Sequence, residues 1–169
     1  MTALRSFLDF LAKELAFASG IGRIPKAPGT FGSIPGLAVG ALLHTAAAAF
    51  SDQKGLRIAV ISLGLLLVTM IALWAIHRTE KLLGIHDDGR IVIDEVAGQA
   101  IAVAFFTPTV FSLTLGFVLF RILDISKPGP IGWCDRHLPG AWGTLVDDIL
   151  AGALAALLLG LAGSILAYF

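Results

Sequence analysis

Two stretches of this chain, Leu56–Ile76 and Leu145–Phe169, are long and apolar enough to cross a bilayer. That restricts the fold severely. Backbone N–H and C=O groups in hydrocarbon must bond within the chain, and a helix is the only single segment that satisfies them all. Composition points the same way. The chain is 57% hydrophobic and 14% charged, with a mean hydropathy of +0.89; soluble domains carry about 25% charged residues. The expected fold is an all-α, polytopic membrane bundle, a single domain over residues 1–169.

Three further apolar stretches are visible: Ile34–Phe50, Val96–Phe106 and Val110–Phe120, the last with a tail to Asp124. About five apolar helices are therefore expected. The third and fourth stretches are short and meet at Thr107-Pro108-Thr109, a turn with a helix breaker. They either borrow their polar ends to span or dip part-way into the bilayer. Residues 1–18 place Leu4, Phe7, Leu8, Leu11 and Leu15 at helical spacing, which predicts an amphipathic helix. It suits a membrane surface or a packed site on the protein itself. Arg5, Asp9, Lys13 and Glu14 break any signal-peptide core.

Alternating connections fall on opposite sides of the membrane. Ten of the twelve basic residues lie in 1–33, 77–95 and 121–144; only Lys54 and Arg57 lie on the other side. The positive-inside bias predicts that the first set is cytoplasmic. Most acids gather there too. Positive and negative charges cancel over the chain, so no basic face exists for nucleic acid. Cys134 is the single cysteine, which excludes an intrachain disulfide framework and a multi-cysteine metal site.

Four segments on that side carry chemistry. Pro28-Gly29-Thr30-Phe31-Gly32-Ser33, preceded by Lys26, offers glycine backbone, two hydroxyls and a cation, the ingredients of a phosphate site; it equally suits a flexible lead into a membrane helix. His86-Asp87-Asp88-Gly89-Arg90 precedes Asp94-Glu95, a carboxylate pair where an apolar helix begins. Arg121, Asp124 and Lys127 sit at the far end of the fourth stretch. They could grip phosphate and metal, or form an Arg–Asp pair with Lys127 reaching for headgroups. Asp135, Arg136 and His137 precede Asp147-Asp148, a second carboxylate pair, expected in the first turn of the last helix. Dipole capping accounts for one such pair more comfortably than for two. Converging carboxylates repel unless a cation lies among them, and Mg²⁺ favours carboxylate oxygens.

Taken in register, PGTFGS (28–33), HDDGRIVIDE (86–95), FRILDISKPGPI (120–131) and DR–x₇–G–x₃–DD (135–148) resemble the phosphatidylglycerophosphatase A family over most of residues 17–155. The resemblance implies a phosphatase of the bacterial inner membrane, its site on the cytoplasmic face. The reaction would be Mg²⁺-dependent removal of the terminal phosphate from phosphatidylglycerophosphate, with membrane lipid around the protein and residues 19–169 forming the catalytic bundle. The site would draw on Glu95, Asp94, Asp124, Asp147 and Asp148 for metal. A remaining carboxylate or His86 would act as base. Arg121, Lys127 and Arg136 would offset charge, and Lys26, Thr30 and Ser33 would hold phosphate. The number of metals and the oligomeric state stay open. Two rival readings are a CDP-alcohol phosphatidyltransferase, whose D-x₂-D-G-x₂-A-R signature is absent, and a small cation-coupled transporter, whose mid-membrane polar groups and inverted repeats are not evident.

Overall fold

The computed structural model describes residues 2–166. Among them every regular element is helical. The helices are α1 (Thr2–Ala16), α2 (Pro28–Phe50), α3 (Lys54–Leu83), α4 (Ile93–Val103), α5 (Val110–Ser126), α6 (Pro130–His137) and α7 (Ala141–Leu166), with a 3₁₀ turn at Ile21–Arg23.

Three of these, Pro28–Phe50, Lys54–Leu83 and Ala141–Ile165, are long and apolar enough to cross a membrane. The other two apolar stretches form shorter helices. At 1.5 Å per residue, the 11 residues of α4 rise about 16 Å and the 17 of α5 about 25 Å. Neither matches a hydrocarbon core of about 30 Å. The reason is local. Residues 104–109 leave the helix ahead of Pro108, and their polar groups find partners. The His44 ring bonds the Ala104 carbonyl at 3.2 Å, and Ser112 Oγ donates to the Thr107 carbonyl at 2.6 Å. Thr109 and Ser112 cap each other reciprocally and start α5.

The short helix α4 is the centre of the bundle, packed chiefly between α2 and α7. Small residues allow this. Gly32, Gly36 and Gly40 recur every four residues on α2. A Cβ at each would press on Val92, on Gln99 and the Val96 carbonyl, and on Val103 and the Ala100 carbonyl, respectively. This is the close small-residue contact typical of membrane helices. On the other side, Gly98 of α4 meets Gly152 and the Asp148 backbone of α7.

Of the two alternatives for the amphipathic segment, α1 takes the packed one. Ala12, Ala16 and Phe17 are buried, and α1 packs along α3, where Arg78 Nε donates to Asp9 Oδ1 at 2.7 Å. Leu4, Phe7 and Phe10 remain exposed.

Two boundaries differ from the sequence expectation. The segment 28–33 is not a loop before a helix; Pro28 is the first helical residue, as proline's fixed φ favours. The last helix starts at Ala141, so Asp147 and Asp148 lie in its second turn and its first turn holds no acid. Helix α6 was not anticipated; its eight residues carry too little apolar pattern to be separated from a loop.

Candidate active site

Each of the two carboxylate pairs is set on a helix near its N-terminal end, and the short α4 brings them together. Asp94 and Glu95 occupy the first turn of α4, and Asp124 sits in the last turn of α5. Asp147 and Asp148 lie across from them on α7. All five surround a small cavity of about 100 Å³, with His86, Asp87, Lys127, Asp135, Gly143 and Thr144. Asp147 and Asp148 are each 3% exposed and Asp94 is 7% exposed. Dipole capping does not explain Asp147 and Asp148, because the helix end is more than a turn away.

The carboxylates fall into two overlapping sets. Asp94, Glu95 and Asp148 each offer an oxygen within 4.8 Å of the others; so do Asp124, Asp147 and Asp148. Two of the buried oxygens, Glu95 Oε2 and Asp147 Oδ1, have no hydrogen-bond partner among the described residues. A buried acceptor without a donor is costly. The donor set is entirely carboxylate oxygen, which fits a hard divalent cation and neither thiolate- nor imidazole-preferring metals.

Two basic residues hold the rim. Arg121 Nη1 donates to Asp124 at 2.5 Å, lies 4.0 Å from Glu95, and approaches Ser33 Oγ at 3.5 Å. Lys127 adopts the left-handed conformation that ends α5, with φ of 44°. That turn sends its side chain inward, not toward headgroups. Its Nζ pairs with Asp135 of α6 and with Asp147 of α7 at 2.7 Å. Burial alone would lower the Lys127 pKa, but the two carboxylates outweigh it and hold the ammonium above its ordinary range.

Of the residues proposed from sequence, Asp94, Glu95, Asp124, Asp147, Asp148, Lys127 and His86 line the cavity, and Arg121 pairs with two of them. Ser33 is buried beside Arg121, its hydroxyl donating to the Gly29 carbonyl at 2.8 Å. Lys26 and Arg136 are exposed and Thr30 is partly buried; none of the three lines the cavity. Gly29 has a different task from loop flexibility. A Cβ there would collide with the Glu95 carboxylate, so the glycine makes room for it.

Glu80 escaped the sequence reading. It ends the longest apolar helix, is 9% exposed, and accepts three bonds. These come from the His86 ring at 2.7 Å, the Asp87 N–H at 3.0 Å and the Thr144 hydroxyl at 3.2 Å. It therefore ties the 84–92 loop and α7 to α3. Its position as the single acid of α3, within the polar run His77-Arg78-Thr79-Glu80-Lys81, was the available signal. Asp135 was seen but not assigned; only the fold shows that Lys127 reaches it.

The family model described as phosphatidylglycerophosphatase A matches residues 15–163, which contain every residue of the cavity. The Escherichia coli K12 phosphatidylglycerophosphatase A is 36% identical over 143 residues, 84% of this chain and 77% of that one. The Haemophilus influenzae phosphatidylglycerophosphatase A is 34% identical over 144 residues, 85% of this chain and 83% of that one. A Bacteroides thetaiotaomicron protein, provisionally named a phosphatidylinositol-3-phosphatase, is 30% identical over 157 residues, 91% of this chain and 94% of that one. No solved structure matches significantly. With a family match spanning most of its length and the acidic cavity inside the matched region, this chain belongs to the phosphatidylglycerophosphatase A family of phosphatases.

Proposed function

We propose that this protein hydrolyses the terminal phosphate of phosphatidylglycerophosphate, with Mg²⁺, at the cytoplasmic face of the bacterial inner membrane. The observation that carries the reading is the convergence of five carboxylates from three helices on one cavity, two of their buried oxygens unpartnered. At about 100 Å³ the cavity is well below the roughly 300 Å³ and more of sites that enclose a small organic ligand. It suits ions and the edge of a phosphoryl group, while the lipid stays outside among the helices.

Asp94, Glu95, Asp124, Asp147 and Asp148 would hold the cation. When bound, it supplies charge stabilisation to the phosphoryl oxygens and lowers the pKa of water. The protein's own residues do the rest. Lys127 and Arg121 flank the acids and offset the charge that spreads over the phosphoryl oxygens. His86 is held by Glu80 through Nδ1; with the proton on Nδ1, its Nε2 is left as the acceptor. It then takes a proton from the attacking water as the water oxygen bonds to phosphorus. The bond from phosphorus to the lipid oxygen breaks, and that oxygen takes a proton from solvent while His86 gives its own back to solvent, leaving phosphatidylglycerol and inorganic phosphate.

Phosphate release from phosphatidylglycerophosphate by purified protein, with Mg²⁺ and with EDTA, tests the reading. Release with Mg²⁺ and none in chelator is expected; equal release in both would overturn the metal role. The cytoplasmic placement rests on ten of twelve basic residues lying on one side. Single cysteines placed in 77–92 or 125–140 should resist external labelling in intact cells, and one at Gln53 should label.

A further inference from the structure

The two acidic sets are not independent. Asp148 belongs to both, together with Asp94 and Glu95 in one and with Asp124 and Asp147 in the other. Each set also contains one buried carboxylate oxygen without a partner: Glu95 Oε2 in the first, Asp147 Oδ1 in the second. The two oxygens come from different helices, α4 and α7. A single cation placed in one set leaves the orphaned oxygen of the other uncompensated.

Charge gives the same count. Six carboxylates, Asp94, Glu95, Asp124, Asp135, Asp147 and Asp148, meet two side-chain cations, Arg121 and Lys127. The exposed Asp87 stands at the mouth, facing solvent. Four negative charges remain in a site walled by apolar helices, where uncompensated charge is expensive. Two divalent ions neutralise them; one leaves half.

We propose that the site binds two divalent cations, one in each carboxylate set, with Asp148 as the ligand shared between them. The inference rests on the metal role proposed above and extends it to stoichiometry. The two oxygens of Asp148 can each face one set, and its backbone is fixed on α7 against Gly98 of α4. In this arrangement Asp94 and Glu95 serve one cation and Asp124 and Asp147 the other.

Mn²⁺ reports on this without any turnover. The intact protein in detergent, stripped with EDTA and titrated with Mn²⁺, is expected to bind two ions per chain. Its electron paramagnetic resonance spectrum should show the spin coupling of ions that share a ligand. Asp94→Asn should abolish that coupling and leave one ion, held by Asp124, Asp147 and Asp148. Asp124→Asn should leave one ion in the other set. Asp148→Asn should weaken both sites by more than about tenfold, as losing a direct ligand costs at least as much as losing its hydrogen-bond partner. Saturation at one ion per chain, or two ions without coupling, overturns the proposal. The wild-type titration alone decides this if a variant does not fold. Binding of no Mn²⁺ at all, with phosphate still released in EDTA, would instead remove the metal role on which the proposal rests. Binding of two coupled ions without phosphate release would keep the two-cation site and remove the substrate assignment.

Discussion

Gly98→Ala separates the geometry of the site from the stability of the fold. A methyl group at Gly98 would stand 2.6 Å from the Asp148 carbonyl oxygen, 2.7 Å from Phe120 Cε2 and 3.0 Å from the Asp148 carbonyl carbon. Ordinary contact begins at 3.4 Å. Phe120 can turn, but the Asp148 backbone belongs to a helix and must retreat by about 0.8 Å, or α4 must move away by as much. The stability cost is modest. Overpacking costs about 1–3 kcal/mol, and alanine recovers about 1 kcal/mol of helix propensity over glycine. The net loss is therefore about 0–2 kcal/mol. The effect on chemistry is larger, because a displacement near 1 Å in a catalytic site costs on the order of 10²-fold in rate. The expected variant folds, melts at most a few degrees early in detergent, and loses most of its phosphate release and Mn²⁺ affinity. Gly163→Ala is the control. It lies on α7, with nothing among the described residues within 4 Å of its added methyl. It should gain up to about 1 kcal/mol and keep full activity. If Gly98→Ala releases phosphate and binds Mn²⁺ as well as the control does, contact between α4 and α7 does not set the site.

Four other outcomes are expected. Glu95→Gln and Asp148→Asn should abolish phosphate release while leaving a folded protein, since each is near-isosteric; normal turnover in both would refute their placement in the site. Lys127→Ala should lower kcat/KM and release Asp135 from Asp147, whereas Lys127→Arg, a longer planar group, should rescue only part of it. Asp88 accepts two bonds from the Arg90 guanidinium, at 2.8 and 2.7 Å, which hold its carboxyl below the ordinary range. Its folded pKa is depressed, so its contribution is present above the unfolded value of about 3.9 and is lost as pH falls through the folded one. Thermal stability of the wild type should therefore fall more between about pH 5 and pH 3 than that of Asp88→Asn. Finally, Gln99 is fully buried and neither amide atom has a partner among the described residues. Gln99→Met keeps the volume and removes the orphaned groups, and should raise stability by about 1–3 kcal/mol in thermal or denaturant unfolding.

The class of fold and the identity of the acids were legible in the sequence, because both depend on residues taken segment by segment. Apolar length requires helices in a bilayer, and Asp94-Glu95 and Asp147-Asp148 stand out against apolar neighbours at once. The positive bias of one set of connections is likewise a count along the chain. What the tertiary structure decided is how near these groups stand. The helix start at Ala141 instead of Leu145 turns Asp147 and Asp148 from apparent caps into interior side chains, and a cap shift of four residues lies beyond what local pattern resolves. The stripe of Gly32, Gly36 and Gly40 was present in the sequence, yet its meaning depends on which helix it faces. Lys127 gave no sign of its partners, since they lie 8 and 20 residues away and are reached only through a left-handed turn. Glu80 lay in the 77–95 connection with no role assigned and became the support of a loop. Hydropathy is a one-dimensional property and is fixed by composition along a segment. Ion pairing and ligand geometry fall off over a few ångströms in three dimensions, so they were decided by how closely α4 could pack between α2 and α7.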